Sequence, residues 1–141
     1  MNVEICCDPG KLLRLPGYRE RYNAYEPPDA LSDVLRAIEL PMTVVVVFGG
    51  WCHDSVRVVP AVIKALAVAG NDRLRLLGVH VSYEETDPSP FMAGPIAVRR
   101  YPTVTFVDGH HEHTQQIPEG TQRVTFTEEP LDAQRIAQAL S

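Results

Sequence analysis

A chain of 141 residues, 45% hydrophobic and 22% charged, is long enough to bury one sizeable core and too short for two. Its formal net charge of −5, with no basic stripe, argues against a nucleic-acid or anionic-membrane partner, because phosphate binding needs clustered cations. No positively charged start leads into a long apolar stretch and no apolar run approaches membrane-spanning length, so neither a secretory signal nor a membrane span is expected, and a cytoplasmic protein is implied. Three cysteines outside any regular framework fit a reducing compartment.

In chain order, residues 1–28 carry Pro9-Gly10, Pro16-Gly17 and Pro27-Pro28 among tyrosines and arginines, which reads as an irregular N-terminal arm wrapped on a domain over 29–141. Cys6 and Cys7 are neighbours, and a bond between them would need a strained ring. The plain reading is one buried thiol and one thiol near a short strand; the sharper one has either resolving a disulfide on Cys52 from a folded-over arm. Asp29 then caps a helix whose apolar face is Leu31, Val34, Leu35 and Ile38, and Pro41 ends it.

Within the strand expected over 42–48, Val44 to Phe48 is a continuous apolar run of β-branched residues ending in an aromatic, as expected of a strand covered on both faces. Gly49 and Gly50 turn the chain. Val56, Val59, Ile63 and Leu66 recur at helical spacing, so the spacing predicts a helix over 52–69 stopped by Gly70-Asn71. A strand at 74–81, an acidic proline-containing loop at 83–95, a short helical stretch before Pro102 and a strand ending at Val107 follow. Asp108-Gly109 is expected to turn into another strand, and 130–140 to form a helix with Ile136 and Leu140 inward. His110-His111-Glu112-His113 falls on that hairpin, where strand alternation lets at most two imidazoles converge, so a solvated hairpin and no metal site is expected.

Cys52 is the residue that carries chemistry. It falls at a helix start, where free N–H groups and the positive dipole end favour a thiolate by up to roughly 2 kcal/mol. A protonated His53 would add to this. The Asp54 carboxylate, about 7 Å away at an effective dielectric near 20, would oppose it by roughly 2 kcal/mol, unless Asp54 serves instead to satisfy backbone N–H groups. Ser55, one turn on, could donate a hydrogen bond to the thiolate.

Trp51-Cys52-His53-Asp54-Ser55, with Pro60 in the following helix, and the downstream Tyr101-Pro102-Thr103 opening the strand Val104-Thr105-Phe106-Val107, resemble the thioredoxin family over residues 29–140. That family's active site is a Trp-Cys-x-x-Cys motif at the same turn, with a cis proline opening a strand beside the cysteine. The resemblance implies an α/β, thioredoxin-like three-layer α/β/α sandwich with a central mixed sheet. Cys52, Ser55 and Pro102 would stand at the catalytic positions, and Trp51, His53, Asp54, Tyr101 and Thr103 would line the substrate. No cofactor is implied, and the partner would be a protein or small-molecule thiol or disulfide.

The departures define the chemistry. Ser55 stands where the family has its resolving cysteine, and Val46 where it often has a buried acid that manages protons. Cys52 could then form a mixed disulfide that nothing within the motif releases. The competing expectation is a redox-inactive peptide- or protein-binding module using the groove around Trp51, Tyr101 and Pro102. Other cysteine chemistries fit less well: Val58 stands where a phosphatase loop needs arginine, Phe48 and Gly49 where a peroxiredoxin carries Pro and Thr, and His53-Asp54 where a monothiol glutaredoxin carries Gly-Phe.

Overall fold

The computed structural model describes residues 3–81 and 91–140. Its architecture is organised by β2 (Met42–Gly49), every residue of which is buried. Successive side chains of a strand point to opposite faces, and here both faces are dry: Val44, Val46 and Phe48 enter one core cluster, Val45 and Val47 the other. Such a strand has to be central. It lies third in a five-stranded sheet ordered β1 (Val3–Cys6), β3 (Leu74–Val81), β2, β6 (Thr103–Asp108), β7 (Gln122–Thr127). Strands β2 and β3 are parallel, joined through α4 (His53–Ala69), while β1–β3, β2–β6 and β6–β7 are antiparallel. The protein is therefore mixed α/β around a mixed sheet, as expected.

Among the described residues the helices gather on one face of the sheet. Helices α1 (Pro9–Leu12), α2 (Tyr18–Ala24), α3 (Asp29–Arg36), α4 and α5 (Ala133–Leu140) all send buried residues into one cluster, with Leu12, Tyr18, Leu31, Leu35, Val59 and Ile136 against the Val44–Val46–Phe48 face. Among the described residues the opposite face is covered by a hairpin of β4 (Phe91–Ala93) and β5 (Ile96–Val98), together with Tyr101 and Ile117. Ala93, Ile96 and Val98 turn inward while Met92 and Ala97 turn out, so a two-stranded ribbon with one apolar side covers that face.

Residues 3–28 do not form the expected irregular arm. They supply an edge strand and two helices, because the Pro-Gly pairs act as helix starts rather than breakers. Asp8 caps α1 by accepting from the Gly10 N–H at 2.9 Å with a proline following at the first position, and Gly17, at φ +83°, opens α2. Three smaller expectations also shift. Pro28, not Asp29, is the N-cap of α3. The residues before Pro102 form β5 and a bend, not a helix. The strand after Asp108 begins only at Gln122, with a 3-10 turn at Thr114–Gln116 between. The expected loop 83–95 falls largely on residues 82–90, outside the described residues, and 91–95 belongs to the hairpin. Among the described residues no helix is long and apolar enough to cross a membrane.

Candidate active site

The end of β2 passes into α4 through Gly49, Gly50 and Trp51. Cys52 is the N-cap of α4 in extended conformation, its N–H donating to the Gly49 carbonyl at 3.0 Å and its carbonyl accepting from the Val56 N–H at 3.0 Å. Both glycines are crowded: a Cβ on Gly49 would stand 2.8 Å from Trp51 Cε2, and one on Gly50 2.9 Å from His80 Nε2. The Gly49 N–H donates to Ser55 Oγ at 3.3 Å in a buried setting. Ser55, fully buried, thus ties the turn together from below rather than presenting its hydroxyl to the surface. Pro60 lies buried within α4.

The Tyr101-Pro102 peptide is cis, as the sequence motif implied. Both residues are buried, and Cys52 S–H donates to the Tyr101 carbonyl at 3.9 Å, a weak bond of the length sulfur makes. The Trp51 ring meets the Tyr101 ring edge-on at 6.0 Å, and Tyr101 leans on Phe91 at 6.5 Å. Cys52 and Trp51 are half-buried at the rim of the hairpin-side core. Cys52 is thus partly exposed at the edge of this aromatic cluster.

The remaining expected site residues divide. His53 is exposed on the first turn of α4. Asp54 pairs with Arg57 at 3.2 Å, and the same guanidinium donates to the Glu128 carbonyl at 3.0 Å. Such a half-exposed pair contributes little stability, on the order of 0–1 kcal/mol, but it draws the carboxylate toward a cation and so weakens the repulsion Asp54 would exert on a Cys52 thiolate. Thr103 is buried and donates to the Arg100 carbonyl at 2.8 Å, which fixes the entry into β6 and removes it from any substrate surface.

The N-terminal cysteines lie elsewhere. Cys6 pairs with Gly78 and so sits level with Val46, three residues below the Gly49 row, which corresponds to about 10 Å along the strand. It packs against the helix-side core, whereas Cys52 borders the other. Cys7 lines a cavity of about 970 Å³ with Leu13, Ile63, Leu74 and His113. Burial, then the neighbouring Cys6 and Glu112, push the Cys7 thiol up. Neither thiol is placed to resolve a bond on Cys52. The histidine segment is held as structure: His110 Nε2 meets the Arg73 carbonyl and His111 Nε2 the Asp108 carbonyl, each at 2.8 Å. Among the described residues no three His, Cys, Asp or Glu side chains converge.

Two residues at the site escaped the sequence reading. His80 stacks on Phe48 with ring centroids 5.0 Å apart and planes 8° apart, beneath Gly50, and burial lowers its pKa against the opposing pull of Glu4. The signal was present: a polar residue alternating between Val79 and Val81 at the carboxyl end of a parallel strand, where open α/β sheets bind ligands. Tyr18 is fully buried beside Phe48, ring centroids 6.1 Å apart, and its hydroxyl has no hydrogen-bond partner among the described residues. An orphaned buried hydroxyl costs roughly 1–3 kcal/mol. No local pattern marked Tyr18, since it arrives from α2 by folding.

Neither a protein-family model nor a curated protein matches the sequence. Among solved structures the chain is similar to a protein of unknown function from Pseudomonas aeruginosa, 17% identical, with a TM-score of 0.54 over 93% of this chain and 80% of that one. It is also similar to an HIV epitope-scaffold, 18% identical, with a TM-score of 0.50 over 86% of this chain and 64% of that one. At such identities the likeness is one of fold alone.

Proposed function

We propose that this chain is a thioredoxin-like thiol-disulfide protein with a single redox cysteine, forming mixed disulfides with a protein or small-molecule thiol. The observation that carries the reading is the half-buried Cys52 at the N-terminus of a 17-residue helix, with its sulfur 3.9 Å from the carbonyl that precedes Pro102. Two stretches that resemble one family's motifs, 49 residues apart, thereby meet at one sulfur. The dipole end of α4 favours a thiolate.

The step balances without a cofactor. The Cys52 thiolate attacks one sulfur of a partner disulfide, the new S–S bond forms as the old one breaks, and the departing sulfur leaves with the electron pair and takes a proton from solvent. Cys52 is oxidised and the departing sulfur reduced. Release requires a second thiol from outside, because Ser55 cannot supply one.

A second reading, a redox-inactive module that binds peptide, is favoured by one observation, the cluster of Trp51, Tyr101 and Phe91 rings beside Cys52. Incubation with oxidised glutathione separates the two. The redox reading expects a stable glutathione adduct on Cys52 that is lost in Cys52→Ser; a Cys52 that stays unmodified while Cys7 reacts would leave the binding module.

A further inference from the structure

Strand β3 is paired on its outer side over only half its length. Its register with β1 runs from Val3 opposite Val81 to Cys6 opposite Gly78 and stops there. Asp8, which would stand opposite Leu76, instead caps α1, its carbonyl accepting from the Lys11 N–H at 3.1 Å. The phase of the strand decides what this leaves open. The Met42 N–H donates to the Arg73 carbonyl, so residues 73, 75 and 77 turn their peptide groups to β2, and Leu74 and Leu76 turn theirs outward. The Leu74 N–H is taken by the Asn71 carbonyl at 3.0 Å. The Leu74 carbonyl and both peptide groups of the buried Leu76 have no hydrogen-bond partner among the described residues.

Residues 74–76 line the cavity of about 970 Å³. Its floor is apolar, with Leu13 and, from α4, Ile63 and Leu66 beside Leu74 and Leu76. Arg75, on the other face of the strand, is exposed and makes no ion pair among the described residues, with Glu112 and His113 on the same rim. A hydrocarbon ligand would fill the floor but leave the Leu76 peptide groups dry and unpaired, which is costly. An extended peptide satisfies both, because its backbone offers donor and acceptor at strand spacing while its side chains alternate between faces. The place is remote from Cys52: Leu74 pairs with Met42, where β2 begins, and Cys52 follows the end of β2.

We propose that the open edge of β3 over residues 74–76 is a docking site for an extended peptide of a partner protein, added antiparallel to β3 in the line that β1 leaves. The peptide residues opposite Leu74 and Leu76 are large and apolar and enter the floor beside α4; the one between them, opposite Arg75, is acidic. The residue opposite Leu76 exchanges both backbone hydrogen bonds with it, and the residue opposite Leu74 donates to the free carbonyl. The site goes beyond the chemistry of Cys52 and does not depend on it.

The test is a nuclear magnetic resonance titration of the isotope-labelled full chain with acetyl-Thr-Leu-Glu-Leu-Thr-amide up to millimolar concentration. The Leu76 N–H resonance is expected to move and its hydrogen exchange to slow about tenfold at saturation. Methylating the nitrogen of either peptide leucine removes a donor that faces β3 and should weaken binding about tenfold, whereas methylating the glutamate nitrogen, which faces solvent, should leave it unchanged. Ala67→Trp, which fills the cavity from an exposed position on α4, and Arg75→Glu should each weaken binding several-fold while the melting temperature and the reaction of Cys52 are retained. A Leu76 N–H that does not respond, equal weakening by methylation at leucine and glutamate, or binding indifferent to Ala67→Trp or to Arg75→Glu overturns the proposal. So does laurate moving the Leu13 and Ile63 resonances while the peptide leaves them in place, which would make the cavity a hydrocarbon site.

Discussion

The Cys52 sulfur and the Tyr101 carbonyl oxygen lie 3.9 Å apart although 49 residues separate them in the chain. The antiparallel register of β2 and β6, which sets Val47 opposite Thr103, brings the residues just after one strand against those just before the other.

Because Ser55 lacks a thiol, attack on a disulfide should stop at the adduct. Thiol-dependent turnover of a protein disulfide is expected to be weak in the native chain and to rise at least several-fold in Ser55→Cys, with Cys52→Ser inactive and Cys6→Ser and Cys7→Ser unchanged. Insulin reduction followed by turbidity gives the readout. Brisk turnover that vanishes on replacing Cys6 or Cys7 would overturn this assignment.

Ser55→Ala removes the acceptor of a buried N–H at Gly49. The expected cost is about 1–3 kcal/mol, because the amide stays dry without a partner. Denaturant unfolding measures it, and a change below about 0.5 kcal/mol would show that the Ser55 hydroxyl does not hold the turn.

At the hairpin, Gly94 adopts φ +59° and a Cβ there would run directly into the Thr114 backbone carbonyl. Gly120, at φ +80°, has nothing near it. Gly120→Ala should cost only the left-handed strain, about 1–2 kcal/mol, whereas Gly94→Ala should cost distinctly more, on the order of 3 kcal/mol, because backbone must move as well. Equal losses would contradict the packing of the hairpin on the 114–117 segment.

His80 gives stability a pH dependence. Burial lowers its folded pKa below the unfolded value near 6.5, so above that pH neither state is protonated. As pH falls through 6.5 the unfolded chain binds the proton first, and stability declines until the folded pKa is passed. The fall in melting temperature between pH 7.5 and 5.5 should be smaller in His80→Phe, which keeps the stack on Phe48 but cannot titrate. An identical fall in both proteins would remove His80 from the account.

Local pattern and tertiary placement divided the work. The strand over 42–49, the helix to Ala69 with its Gly70 stop, the strand over Leu74–Val81 and the position of Cys52 at a strand-to-helix turn were legible in the sequence, because each is written as a continuous apolar run or a helical period within about twenty residues. The hairpin over 91–98 was not, since strands of three residues carry too little periodicity to distinguish them from loop. The N-terminal segment was misread because a Pro-Gly pair breaks one element and begins another with the same residues. Tyr18 and His80 became neighbours of the turn only when α2 packed on α4 and β3 aligned beside β2. The sequence by itself determined which sulfur sits at a helix N-terminus, because that is a local property of the backbone. Which groups surround that sulfur, and whether Ser55 faces the substrate or the core, depended on which faces the sheet buried, and only the tertiary structure decided that.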